Sequence, residues 1–312
     1  MAKNPFTLSA IGVAGSSAFQ LDGIESSEFD YGFQEFVAYA AGDHIPEFTA
    51  HMFSAPMLSF QCRDLATLLG NFTSITNGFA IPQSTTYTSL VAYFSKMADL
   101  GARSGSGAHL SLTLNKALCY ITQIRCQQNQ AAVADVRVHA LYDGSNLPFV
   151  VSTTATLPAV TPDEEFTLGP VVRNGSLLEG VTGVTIDTGI NVETYPADGE
   201  VYATTISITE ASPVITIDTI DASHLTGLGL TGTAQSGDTA VHFRKMDSDG
   251  SRVSDGTSEH IRITMPSSQG MHQPGTFSSS NNQVGSGQFR FRPVAGASNI
   301  LTLSNAAAVS TP

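Results

Sequence analysis

The strongest constraint on this chain is that it is written twice. SAPMLSFQCRDLATLLG at 54–70 returns as ASPVITIDTIDASHLTG at 211–227, 157 positions on and without a gap. Leu21, Gly23, Asp30, Gly32, Ala40, Gly42, Pro56, Asp64, Leu68 and Gly70 recur at that offset as Leu178, Gly180, Asp187, Gly189, Ala197, Gly199, Pro213, Asp221, Leu225 and Gly227. A longer loop in the first copy then shifts the register. The match resumes with YFSKM at 93–97 against HFRKM at 242–246, HLSLTL at 109–114 against HIRITM at 260–265, and VRVHA at 136–140 against FRFRP at 289–293. Repetition over nearly the whole length predicts a tandem duplication, with one unit over 1–158 and the second over 159–312. The presumed linker is TLPAVTPDEE at 156–165.

Both copies read as β. Leu110, Leu112 and Leu114 alternate with Ser111 and Thr113, and Phe289 and Phe291 with Arg290 and Arg292. A period of two puts one face of a strand into a core and the other towards water or a neighbour. Pro196-Ala197-Asp198-Gly199 is a hairpin turn, because Gly tolerates positive φ. Asp64 and Asp221 precede helix-like segments and are expected to cap them by accepting the unpaired amides of the first turn. The expected fold is all-β: two tandem β-sandwich or partly closed barrel domains, each with a short flanking α-helix and a long hairpin.

Charge narrows the partners. The formal net charge is −13 and only 13% of residues are charged. A net-negative chain repels phosphate, which argues against tight or sequence-reading contact with nucleic acid. Cys62, Cys119 and Cys126 are odd in number and show no CxxC spacing, so buried thiols are expected, without a disulfide framework or a zinc site. No run is long and apolar enough for a membrane helix. The opening FTLSAIGVAGSSAFQLDG returns as FTLGPVVRNGSLLEG at 166–180, so it is expected to belong to the fold and not to a cleaved leader.

Three local patterns bear on chemistry. Gly227–Gly232 fits GxGxxG but lacks a strand before it and a helix after it, so no dinucleotide cofactor is expected. Asp247-Ser248-Asp249-Gly250 lacks the later ligands of a calcium loop and reads as a tight turn, with no metal. His109 and His260 are repeat-equivalent and open a strand, which suggests a structural hydrogen bond. No GxSxG elbow, HExxH or isolated pair of acids picks out a catalytic set, so the chain is not expected to be an enzyme.

A duplicated β unit presents similar edges at both ends. A contact made inside the chain can therefore repeat head to tail between chains and close a ring. In this respect the chain resembles the tail-tube proteins of long-tailed bacteriophages. The resemblance rests on the two FTL…L(D/E)G openings, the acidic-Gly hairpins, the AP/SP strand leading to an Asp-led helix, and the strand pairs after KM. It implies a homotrimeric pseudo-hexameric ring that stacks into a tube, with other tail proteins as partners and no membrane. DNA would pass without specific binding through an acidic or neutral lumen, and the protein would reside in the virion after synthesis in the host cytoplasm. Asp22 with Glu179 and Asp30 with Asp187 are the candidate lumen or interface acids. Phe33, Phe36, Tyr39, Asp43 and Phe48 on the first hairpin, with Asp198 and Glu200 on the second, are candidate contacts between rings; for the first-hairpin aromatics a core role competes. Other readings are a distal-tail adaptor ring, a capsid decoration protein, and an extracellular adhesin or carbohydrate-binding tandem β protein.

Overall fold

A computed structural model describes residues 6–13, 20–21, 23–72, 89–97, 108–159, 164–197, 199–225, 228, 231–265, 270–279, 285–293 and 301–309. The strands of the first half are β1 (Phe6–Val13), β2 (Gln20–Leu21), β3 (Ile24–Asp30), β4 (Phe33–Ala38), β5 (Phe48–Ser54), β6 (Met57–Cys62), β7 (Ser89–Lys96), β8 (His109–Asn115), β9 (Ala117–Gln127), β10 (Val133–Ala140) and β11 (Phe149–Ala155). Helix α1 (Leu65–Phe72) lies between β6 and β7. The second half contributes β12 (Glu165–Arg173), β13 (Ser176–Leu178), β14 (Val181–Asp187), β15 (Ile190–Pro196), β16 (Ala203–Ala211), β17 (Val214–Thr219), β18 (Thr233–Ala234), β19 (Thr239–Met246), β20 (His260–Met265), β21 (Gly270–Ser278), β22 (Ser286–Pro293) and β23 (Thr302–Ala307).

The halves share one strand order. A five-stranded sheet runs β2-β1-β7-β8-β11 in the first half and β13-β12-β19-β20-β23 in the second. Both first strands carry a bulge at the same place, between Leu8 and Ala10 and between Leu168 and Val171. A third, nine-stranded sheet belongs to both halves. Its order, β18-β21-β22-β17-β14-β9-β10-β6-β3, sets four strands of the first half beside five of the second, the short β18 being the extra one. Two hairpins, β4–β5 and β15–β16, stand apart as two-stranded sheets. Among the described residues the sheets are open and none closes into a barrel.

Alternation builds the core. Leu58, Phe60 and Cys62 of β6 are buried between half-exposed Met57, Ser59 and Gln61, and Ile215, Ile217 and Thr219 of β17 repeat that pattern. Ile11, Leu90, Leu112, Ile261 and Ile263 from the five-stranded sheets join them in one hydrophobic cluster. All three cysteines are buried there as thiols outside any disulfide, and burial pushes the Cys126 thiol up to about 12.

Short-range chemistry is duplicated as well. The Asp30 carboxylate accepts the Gly32 amide at 2.9 Å, and Asp187 accepts Gly189 at 2.8 Å. Both glycines turn the chain from a strand of the large sheet into a hairpin at φ near +60°. His109 Nδ1 accepts the Lys96 amide at 3.1 Å, and His260 Nδ1 accepts that of Lys245 at 3.0 Å. Asp247–Gly250 is closed as a turn by the Gly250 amide on the Asp247 carbonyl at 2.8 Å.

One local expectation fails. Asp64 caps α1 through the Thr67 amide at 3.1 Å, but among the described residues the matching segment of the second half forms a 3-10 turn, Ala222–Leu225, and no α-helix. Asp221 still accepts the Ser223 amide at 2.9 Å. The first copy continues LATLLGNF, whereas the second runs into TGLGLTG, whose glycines and β-branched residues do not carry a helix forward.

Beside that turn, His272 is sealed at 1% exposure. Arg173 Nε donates to its Nδ1 at 3.1 Å, so its Nε2 carries the proton and meets Thr239 Oγ1 at 3.2 Å. Burial, reinforced by the Arg173 charge, lowers its pKa to about 4. The unfolded chain therefore takes up a proton near pH 6.5 that the folded chain refuses until about pH 4. Stability is full above pH 6.5 and falls as pH drops through that window, with a slope of up to about 1.4 kcal/mol per unit from this group. His272→Gln should flatten that part of the curve of melting temperature against pH.

Candidate assembly surfaces

The two halves join through β9 and β14, which pair antiparallel from Gly183 opposite Gln127 to Asp187 opposite Gln123. At the centre Ile186 faces Ile124, and neither is exposed to solvent. Beyond the ladder, Thr188 donates its hydroxyl to the Ile121 carbonyl at 2.7 Å, and the Gln128 amide reaches the Thr182 carbonyl at 2.8 Å. Arg63 adds an ionic clasp, at 3.2 Å from Glu25 and 3.1 Å from Glu165. These groups are half-exposed, so the clasp orients the joint more than it stabilises it.

The same two strand types end the sheet. By the repeat, β3 corresponds to β14 and β21 to β9. Phe29 opposes Leu58 as Ile186 opposes Ile215, and Phe277 opposes Gly287 as Ile124 opposes Ala134. In the single chain neither edge has the partner that its counterpart has. Gly183, Val184 and Ile186 are buried on β14, yet their counterparts Ser26 and Ser27 are exposed and Phe29 is half-buried. Phe277 is 53% exposed where Ile124 is sealed. The short strand β18 covers only the start of β21, at Met271 and His272, and leaves 276–279 open. Unpaired, partly apolar edges of this kind are templates for further strands.

The face of the large sheet turned away from the core is polar. Glu28, Asp30, Asp135, Asp187 and Asp218 share it with Arg125, Arg137, Arg290 and Arg292, interleaved across the strands. Arg125 lies 3.9 Å from Asp135, and Gln288 donates to Asp218 at 3.1 Å. The acidic surplus of the chain is therefore not concentrated here. Asp30 and Asp187 lie at the rim of this face with one oxygen tied to a turn. Glu179 is exposed at the β13–β14 connection, where its backbone carbonyl lies 2.9 Å from His224 Nε2. Asp22 and Asp198 lie outside the described residues.

The hairpins differ in what they touch. The tip of β15–β16 leans onto the first half: Val201 and Ala203 carbonyls accept the Ser54 and Tyr142 amides, each at 2.8 Å, and Tyr202 packs on Tyr142. The β4–β5 tip has the same turn, with the Asp43 amide on the Ala40 carbonyl as the Glu200 amide is on that of Ala197. Its apolar side chains lie in water: Phe33, Phe36, Tyr39, Phe48 and Met52 are half-exposed or more, and Ile45 is 77% exposed. These aromatics are not core within one chain. Sequence reading had no signal for the β9–β14 joint or for Phe277; the first could have been guessed only by asking how two equal edges meet. Among the described residues, no group of three or more His, Cys, Asp or Glu could hold a metal, and no helix is long and apolar enough to cross a membrane. The chain matches no known protein family and no curated protein.

Proposed function

We propose that this protein is a structural, non-enzymatic ring subunit of a phage tail tube, built as two tandem homologous domains. The observation that carries the reading is the β9–β14 joint together with the vacancy of its equivalents, β21 and β3, at the two ends of the same sheet. The β3 edge of one copy then pairs with the β21 edge of the next, in the register set inside the chain. A heterologous contact that repeats with a constant rotation closes into a ring. With three chains, eight long strands each, the ring is a 24-stranded barrel. At about 4.8 Å between strands and a tilt of about 35–45°, its backbone diameter is on the order of 50 Å.

The mixed-charge face would line that bore, and the five-stranded sheets would lie outside it. Interleaved carboxylates and arginines give neither a basic track that holds phosphate nor a strongly repelling one, so DNA slides without specific binding. Contacts with other tail proteins and residence in the virion belong to the same reading. Negative-stain electron microscopy with solution mass is the test. Trimeric rings or tubes with a duplex-sized hole support it; monomers at every concentration, with and without a tail-tip extract as initiator, overturn it. Replacing Phe36 and Tyr39 by Ser should abolish stacking while rings persist, visible as single annuli in place of tubes.

A further inference from the structure

The exposed β4–β5 hairpin has a counterpart whose partner is known. The β15–β16 tip rests on the base of β5 through a parallel bridge between Tyr202 and Ser54, and Lys116 Nζ donates to the Thr204 carbonyl at 3.2 Å. Ala203 is fully buried by this contact region. The repeat puts His44, Ile45 and Pro46 where Val201, Tyr202 and Ala203 stand, and Ala211 where Ser54 stands. We infer that the β4–β5 tip docks on the second half of a neighbouring copy in the same ring, with Ile45 against the base of β16 at Ala211. This rests on the ring reading above and names a second surface, distinct from the strand joint.

Three observations support a second copy as the occupant. The contact continues one already made inside the chain. Ile45 has the largest exposure among the exposed large hydrophobic side chains of the described residues, while Tyr202 in the equivalent place is half-buried against Tyr142. Both residues of the expected bridge, Ile45 and Ala211, are exposed, so a partner can reach them. The hairpins would then lie side by side around the ring, each tip on the next base, one contact within a chain alternating with one between chains. The aromatics Phe36 and Tyr39 would stay free for the neighbouring ring.

Paired cysteines test this in the full chain, where native Cys62, Cys119 and Cys126 are buried. Bridged strand residues lie within the Cα separation that a disulfide spans. Under mild oxidation, Ile45→Cys with Ala211→Cys should give covalent dimers and then a closed oligomer of ring size on a non-reducing gel. Ser54→Cys with Tyr202→Cys should close within one chain and calibrate the geometry. Glu28→Cys with Ser278→Cys, counterparts of the facing Thr185 and Arg125, reports the strand joint alone. Crosslinking of that pair without any at Ile45 and Ala211 overturns the hairpin contact and leaves the ring. Failure of both between-chain pairs, in a protein that stays monomeric, overturns the ring and the hairpin contact together.

Discussion

Phe277→Asp leaves the chain folded and abolishes its assembly. The side chain is 53% exposed in one copy, so a carboxylate there is solvated and the melting curve stays close to that of the parent. In the ring it would face Phe29 of the next copy, as Ile124 faces Ile186 within the chain. An unpaired carboxylate sealed in such a seam costs several kcal/mol, about 4 or more, which weakens association about a thousandfold. Light scattering should show monomers at concentrations where the parent is oligomeric. The matched change Ile124→Asp puts the same charge at a fully buried position and should unfold the chain instead. Equal assembly of parent and Phe277→Asp would remove the strand joint from the account.

Gly189→Ala should be one of the two most damaging small substitutions among the hairpin corners. The residue sits at φ +58°, where an L side chain costs about 1–2 kcal/mol. Its Cβ would also lie 2.3 Å from the Ser212 carbonyl oxygen, a contact relieved only by moving the start of β17. A total of about 3–5 kcal/mol is expected, within the range reserved for strained backbone positions. Gly199→Ala is the control: φ is +81°, but no atom lies within 4 Å of the new Cβ, so only the backbone cost remains. Denaturant unfolding of the two variants should separate the terms. Gly32→Ala, whose new Cβ would meet the Ala55 carbonyl oxygen just as closely, should cost about as much.

Much of the local structure was legible because it depends on neighbours in sequence. The Asp cap of α1, the strand-opening histidines and the acidic-Gly turns are contacts across a few positions, or across a hairpin whose register the turn fixes. The bonds from Asp30 and Asp187 to the corner glycines were not legible, since the resemblance implies lumen or interface roles for both acids. Alternation on β22 told that Phe289 and Phe291 face the core, since a pleated strand sends successive residues to opposite faces. The second helix expected from its Asp cap is a 3-10 turn over Ala222–Leu225, because a cap does not offset the low helix propensity of the glycines that follow it in sequence. The first-hairpin aromatics could be read either as core or as surface, since hydrophobicity alone does not say whether a partner lies in the same chain.

The sequence by itself determined that most motifs return at a constant offset, with corner glycines, acidic turns and strand-opening histidines repeated. Only the tertiary structure decided that the copies meet edge to edge through β9 and β14 in a single sheet, and hence that β3 and part of β21 are left unpaired. The reason is physical. A side-chain pattern selects a strand's buried face, but its lateral neighbour is selected by backbone hydrogen bonds, which every residue but proline offers alike. Which edge meets which is therefore settled by how the whole core packs, not by any residue at the edge.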